Sequence, residues 1–262
     1  MAMTSSVLTR VEDGVATLTL NRPKAMNAFD ADDARAIVEA TDLFAADPDV
    51  RVMVLGGAGR SFSAGGDFNW VLTWPNLDAI TRRVGADAMM GAVQAIYDFP
   101  KPSIARVHGA AVGGGVGLML ACDFAIAALP ARFGLTSVRN GLLAGIAIPV
   151  LIEAVGPRVA RQLMMHGGMF DAATALRIGI VDQVVEQDAL DTTVLALAGE
   201  LMLGAPSVQT TVKKLITEID ALPHDTDVAD ILGEHVANQC VTDEALEGMS
   251  AFLDKRKPRW AP

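Results

Sequence analysis

Two glycine-rich stretches hold the residues of this sequence that could do chemistry. One runs from His108 to Asp123 and carries Gly113, Gly114 and Gly115 in succession, just before the apolar run Val116–Ala121. Glycine adopts positive φ at little cost and lets backbone approach closely. Glycines at a helix start leave bare N–H groups there, which together with the positive end of the helix dipole favour an anion. That anion is either a phosphate or the oxyanion of a thioester during reaction, and the competing reading is a tight turn where strand and helix pack closely. The second stretch, Arg60-Ser-Phe-Ser-Ala-Gly-Gly-Asp67, follows another apolar run, Val50–Leu55. Two such turns can aim one N–H each at a single oxygen, which is the geometry of an oxyanion hole.

Other chemistries fail on spacing. There is no G-x-x-x-x-G-K-[ST], and Gly113-Gly-Gly-Val-Gly117 does not fit G-x-G-x-x-G, so neither nucleotide loop is present. No H-E-x-x-H, close cysteine pair or G-x-S-x-G occurs, so no metal site and no nucleophilic serine are expected. His108 and His166 stand alone and read as structural. Met164, Met165 and Met169 read as core or interface filling. Cys122 and Cys240 read as reduced, buried thiols.

The elements that must position the two turns follow from periodicity. Val15–Leu20 alternates and reads as a strand, ended by Arg22-Pro23, with Lys24–Asn27 as a loop. Asp30–Ala46 has helical spacing with acidic residues at its start. Val50–Leu55, Ser103–Val107 and Phe124–Ala128 read as buried strands, and Ala131-Arg-Phe-Gly134 as a short strand or turn. Phe68 to Gly91 is read as a loop or short helices over a site, and Ala86–Phe99 as a helix. Helices are expected over Ile148–Val155 and Val159–Met165, broken by Gly156-Pro157, and from Asp171 to Arg177. Ile180–Val185 returns as a strand. From Asp188 only helices are expected, near 188–203, 207–221, 225–239 and 242–256. The fold class is therefore α/β with a helical tail, divided as a core over 1–187 and a helical region over 188–262.

The 262 residues can bury a substantial core, and a charged fraction of 20% against 51% hydrophobic hints at extra buried surface between subunits. A net charge of −10 argues against a nucleic-acid partner and against an anionic membrane surface. No apolar run reaches the about 18 residues of a spanning helix, and Met1–Ser6 shows no basic-then-apolar leader. A cytoplasmic location is expected.

The sequence resembles the crotonase superfamily, the enoyl-CoA hydratases and isomerases, over nearly its whole length. The resemblance rests on Leu20-Asn-Arg-Pro-Lys-Ala-Met-Asn-Ala28, Ser61–Asp67, the 108–123 stretch, Ala131–Gly134, Phe170–Asp182 and Glu247–Lys257, all in the family's order. Phe68-Asn-Trp70, Gly115-Val-Gly117 and Ser137-Val-Arg139 look like the methylglutaconyl-CoA hydratase branch. The resemblance implies a core of β-β-α spiral turns, followed by a helical region for trimer contacts in a homotrimer or hexamer. It implies the N–H groups of Gly66 and Gly114 as oxyanion donors. It implies coenzyme A as part of the substrate, with no cofactor bound permanently. Lys24, Ala25 and Met26, with Ala64, Gly65, Asp67, Phe68 and Asn69, match the strip that cradles coenzyme A. Phe252 and Lys255 match a tail that reaches the nucleotide end, in some members from a neighbouring subunit.

The departures matter most. Hydratases of this family use two glutamates as paired acid and base. The matching positions here are Gly117 and Ser137, and neither carries a carboxylate. Gly141–Pro149, where some isomerases place an acid, has none. The expected function is an enoyl-CoA hydratase or isomerase type of enzyme that stabilises an enolate. The alternatives are a decarboxylase or thioester hydrolase that needs mainly the oxyanion hole, and a silent acyl-CoA-binding subunit.

Overall fold

The computed structural model describes residues 5–223 and 225–262; the part of the leader reading that falls on Met1–Thr4 lies outside them. Val7–Glu12 (β1) and Val15–Leu20 (β2) form an antiparallel hairpin. Asp13 and Gly14 turn it with φ of 49° and 80°, the doubly left-handed geometry of a two-residue hairpin. The sequence reading found β2 alone; Asp-Gly between two strand-like runs is the signal for β1. Ala31–Ala46 (α1) follows, capped by Asp30, whose carboxylate accepts from the Asp33 N–H while Asp33 accepts from the Asp30 N–H.

The next elements are Val52–Gly57 (β3), Phe68–Val71 (α2), a 3₁₀ turn over Trp74–Asn76, and Ala79–Tyr97 (α3). Here the expectation of a loop through Gly91 is corrected. α3 starts a full two turns earlier than read, at the Asp78 cap. Its buried stripe is Gly85, Met89, Ala92, Val93 and Ile96. Gly85 looks like a helix breaker but belongs to that stripe. A Cβ there would stand 2.9 Å from Cζ2 of Trp70, so the indole fills the space a side chain would take.

Ser103–Val107 (β4) leads to Ala110–Val112 (β5) and Gly114–Leu120 (α4), and Phe124–Ala128 (β6) to Arg132–Gly134 (β7). Two 3₁₀ turns, Thr136–Asn140 and Gly145–Ala147, precede Ile148–His166 (α5). Gly156, with φ 72° and ψ 162°, kinks α5 where Gly-Pro predicts a break. Met169–Asp171 (β8), Ala172–Arg177 (α6) and Gln183–Val185 (β9) close the sheets. The tail is helical: Leu190–Leu201 (α7), Pro206–Asp220 (α8), Ala229–Gln239 (α9) and Asp243–Leu253 (α10). Cys240, expected buried, is exposed at the end of α9.

The large sheet has six strands in the order β1-β2-β3-β4-β6-β9, and a second has three in the order β5-β7-β8. Twice the chain leaves a strand of the large sheet, adds one to the small sheet and enters a helical turn, at β4–β5–α4 and at β6–β7 with its 3₁₀ turn. This is the β-β-α spiral. One face of the large sheet, with Leu18, Met53, Leu55, Ala105 and Ala127, packs in the core with α1, α3 and α4. The other, with Val52, Val54, Ile104 and Ile126, packs on Leu190, Val194 and Ala198 of α7. Each fully buried side chain of this kind contributes about 1.5–3 kcal/mol. A surface ion pair contributes about 0–1 kcal/mol, so these two apolar faces set the placement of the sheet. No helix of the described residues is long and apolar enough to cross a membrane.

Candidate active site

The two glycine turns lie side by side because short parallel pairings hold them. Phe62 N–H donates to His108 O at 2.9 Å, Ser63 N–H to Ala110 O at 3.0 Å, and Val112 N–H to Ser63 O at 2.9 Å. Further on, Phe29 N–H donates to Gly65 O and Asp67 N–H to Phe29 O, both at 2.9 Å. That bridge uses the groups on either side of Gly66 and leaves the Gly66 N–H out of it. Gly114 is the first residue of α4, where an N–H has no acceptor within the helix. Among the described residues, neither N–H donates to a protein acceptor.

Gly65 makes this approach possible. Its φ is 84°, and a Cβ would stand 2.6 Å from Val112 O and 2.8 Å from Gly114 N. A side chain would therefore push the two turns apart as well as strain the backbone. Gly113, with φ 54°, swings the chain into α4 while its N–H donates to Gly134 O at 2.8 Å. The walls are apolar. A Cβ on Gly114 would meet Ile146 Cδ1 at 2.7 Å and Phe29 Cζ at 3.2 Å, and one on Gly66 would meet Met89 Cε at 3.6 Å.

The positions read as those of the missing glutamates differ from each other. Ser137 is half-buried in the turn after β7, with Oγ 3.4 Å from where a Gly113 Cβ would stand. It therefore lies beside the glycine turn. Gly117 is buried in α4, and a Cβ there would be 3.2 Å from Ala147 Cα and 3.4 Å from Ile146 O. Backbone of the Gly145–Ala147 turn thus fills that space. Glu153 is engaged elsewhere. Its carboxylate accepts from Tyr97 Oη at 3.1 Å and lines a cavity of about 670 Å³ with Cys122, Asp123 and Lys213 at the far end of α4. That end is about 10 Å from the glycines at the rise of an α-helix.

The matched coenzyme A strip also comes together. Ala64 N–H donates to Met26 O at 2.8 Å, which joins the Lys24–Met26 segment to the second glycine turn. Lys24, Met26, Phe68 and Asn69 are exposed, and Gly65 and Asp67 are buried. Phe252 and Lys255 sit at the end of α10, where Phe252 is 82% exposed, and make no hydrogen bond to that strip among the described residues.

Sequence reasoning missed the supports. Asn27 is buried with φ 56°. Its amide donates to Ala58 O at 2.9 Å, Ser61 O at 2.8 Å and Phe62 O at 3.2 Å, and accepts from Arg22 N–H at 2.9 Å. A buried group left unsatisfied costs about 1–3 kcal/mol, and a left-handed residue about 1–2 kcal/mol, so the hydrogen bonds win. Arg22 ties α1 to the turn through Asp33 and Asp67, both at 2.7 Å. Burial alone would raise Asp67, but the hydrogen bond from Arg22, with others from the backbone, holds it below the ordinary carboxylate value. Asp67 also caps α2 at Asn69. The signal was present in the spacing Arg22-Pro-Lys-Ala-Met-Asn27.

His108 is a third support. Its Nδ1 lies 2.9 Å from Arg106 Nη1 and its Nε2 2.9 Å from Gly59 O. A guanidinium only donates and a carbonyl only accepts, so the imidazole is neutral with its proton on Nε2. Burial lowers its pKa first; the Gly59 carbonyl opposes this, and the Arg106 cation adds to it. The unfolded chain then binds the proton more readily, so the stabilisation is full above the ordinary value near 6.5 and is lost as pH falls through it. The thermal unfolding midpoint is expected to drop between pH 7 and pH 5 more steeply in the native protein than in His108→Gln. Equal slopes would show that His108 is not the group responsible.

Three comparisons bear on this arrangement. Residues 10–262 match the family model described as enoyl-CoA hydratase/isomerase. The crotonyl-CoA hydratase of Syntrophomonas wolfei is 34% identical, with 96% of each chain covered. The (E)-benzylidenesuccinyl-CoA hydratase of Thauera aromatica is 35% identical, covering 96% of this chain and 97% of that protein. Among solved structures, an enoyl-CoA hydratase from Shewanella pealeana superposes with a TM-score of 0.93 at 31% identity, covering 98% of this chain and 97% of that one.

Proposed function

The chain belongs to the enoyl-CoA hydratase/isomerase family of the crotonase superfamily, whose relatives act on acyl-CoA, and from that premise we propose that it stabilises a thioester enolate at Gly66 and Gly114 without the family's paired glutamates. The observation that carries this reading is the pair of N–H groups left without protein acceptors where Gly65 packs on α4. The thioester carbonyl oxygen lies between the two donors, and negative charge that develops on it during reaction is met by preorganised dipoles. The coenzyme A moiety runs along Lys24–Met26 and Ala64–Asn69. The Phe29, Met89 and Ile146 walls exclude water, which strengthens both hydrogen bonds.

Proton transfer is the weak step in this reading. Ser137 sits where the second glutamate is matched, and a hydroxyl with no adjacent base is a poor acid or base at neutral pH. At Gly117 a carboxylate is absent, and a side chain there would press on Ala147 at 3.2 Å. Coenzyme A thioesters are expected to bind with micromolar dissociation constants, while free adenine nucleotides bind far more weakly. Calorimetry with crotonyl-CoA measures this, and no heat at millimolar ligand would end the reading.

Crotonyl-CoA hydration is expected to be slow, because a positioned acid–base group contributes roughly 10²–10⁴-fold. Ser137→Glu should raise the saturated rate at least tenfold. Gly117→Glu should instead lower the thermal midpoint and give no gain. A fast native enzyme that Ser137→Glu slows would assign the proton transfer to another residue.

The region 188–262 is proposed as the self-association segment of a homotrimer or hexamer. Its support is apolar surface: α8 and α9 have no buried residue, and Ile216, Val236 and Leu253 are 63%, 62% and 78% exposed. Light scattering is expected to give a multiple of three of the 27.5 kDa chain; a monomer at micromolar concentration would rule this out.

A further inference from the structure

The cavity of about 670 Å³ that Glu153 lines lies at the C-terminal end of α4 and is roofed by α8. Val208, Val212 and Ile216 recur every four residues, so they share one face of that helix. All three line the cavity, yet no residue of α8 is buried. The apolar face of the helix therefore hangs over space and is not packed into the core. Polar ties hold it there. Lys213 Nζ lies 2.9 Å from both oxygens of Asp123. Gln209 Nε2 donates to Leu201 O at 2.7 Å, and the Ser207 N–H donates to the Glu244 carboxylate at 3.2 Å.

The opposite wall is core: Met119, Val150 and Ile180 line the cavity and belong to the main apolar cluster. The glycine turns stand at the other end of α4, about 10 Å away at the rise of an α-helix. Charge around the cavity is uneven. Asp123, Glu153 and Asp182 line it against a single cation, Lys213. Asp123 and Lys213 neutralise each other, and Asp182 Oδ2 accepts from the Ala125 N–H at 2.7 Å. Glu153 accepts from the Tyr97 hydroxyl through Oε1 alone. It has no Lys, Arg or His within ion-pair reach among the described residues.

We propose that this cavity is a second ligand site, for a small molecule with an apolar body and an ammonium head, such as a primary alkylamine. Its volume falls in the range of about 300–1,000 Å³ of small-molecule pockets, which set a few polar groups among apolar walls. An alkyl chain between α8 and the core removes water from its own surface and from the exposed helix face. Each methylene buried this way gains about fourfold in affinity. The head group belongs at Glu153, whose second oxygen takes no hydrogen bond from the described residues. Ammonium–carboxylate bonds are about twice as strong as neutral ones, whereas a carboxylate head would meet the surplus negative charge of the lining. The proposal stands apart from the reading of Gly66 and Gly114 as the thioester site.

The test is calorimetry on the full chain with octylammonium, 1-octanol and octanoate, which share the chain and differ in the head. Octylammonium should bind about tenfold more tightly than octanol, and octanoate more weakly than either. Glu153→Gln keeps an acceptor for Tyr97 and should bring octylammonium to within about twofold of octanol. Val212→Trp places an indole in the cavity from an exposed helix position and should remove binding of all three. A second readout places the ligand. Cys122 lines the cavity, and Cys240 is exposed outside it. In Cys240→Ser, octylammonium should slow labelling of Cys122 by an uncharged disulfide reagent about fivefold or more. No heat at millimolar octylammonium, equal affinity for octanoate, or binding unchanged in Val212→Trp would overturn the proposal. A Cys122 that labels only after dilution to monomers would show that a second copy fills the cavity, and would overturn it as well. Crotonyl-CoA binding is measured separately, so the thioester site and this cavity stand or fall independently.

Discussion

Holding two backbone N–H groups unpaired in a partly buried place is the constraint on which the rest of this structure depends. Left to itself, a chain would pair such donors with nearby carbonyls. Here each is spoiled for pairing in a different way. Gly114 begins a helix, so its N–H points off the end. Gly66 lies in a bridge whose hydrogen bonds belong to Gly65 and Asp67. Bringing the two together takes a glycine at position 65, because Gly114 N and Val112 O occupy the space of a side chain.

Such an arrangement has to be held from outside, and the supports are polar, with Asn27 and His108 buried and Arg22 half-buried. Asn27 gathers three carbonyls of the second turn, and His108 fixes the same turn from β4 through Gly59. Arg22 ties α1 to it through Asp33 and Asp67. Asn27 and His108 bond to backbone carbonyls at the turn, and Arg22 pairs with the Asp67 carboxylate that ends it. Groups held this way need little rearrangement to meet a charge.

The same rigidity limits what chemistry can be added. The 3₁₀ turn over Gly145–Ala147 packs on α4 at Gly117, so a side chain added there has to displace that turn by a few tenths of an ångström. Ser137 stands beside the glycine turn in a half-buried position, with Oγ 3.4 Å from the Cβ position of Gly113. Further along α3, Trp70 and Trp74 pack against the space of the side chain that Gly85 lacks.

Much of this was legible in the chain itself. An alternating run marked β2, and short apolar runs marked β4 and β6. Acidic residues from Asp30 marked the start of α1, Asp171 marked its helix as a cap, and Gly156-Pro157 marked the kink in α5. The two glycine turns were visible as candidate donor sites, because glycine before an apolar helix start has a local physical meaning. The boundaries of α3 were not legible, since Gly85 reads as a breaker until the Trp70 ring is seen to fill its side. Nor was the role of Asn27, whose partners lie more than thirty residues away. The neutrality of His108 and the filled niche at Gly117 were equally hidden. Local periodicity and capping are properties of neighbours in sequence, so the chain alone determined the elements and the types of residue at the turns. Which N–H groups stay unpaired, and which carboxylate has space to stand, depend on contacts between segments far apart, and only the tertiary structure decided them.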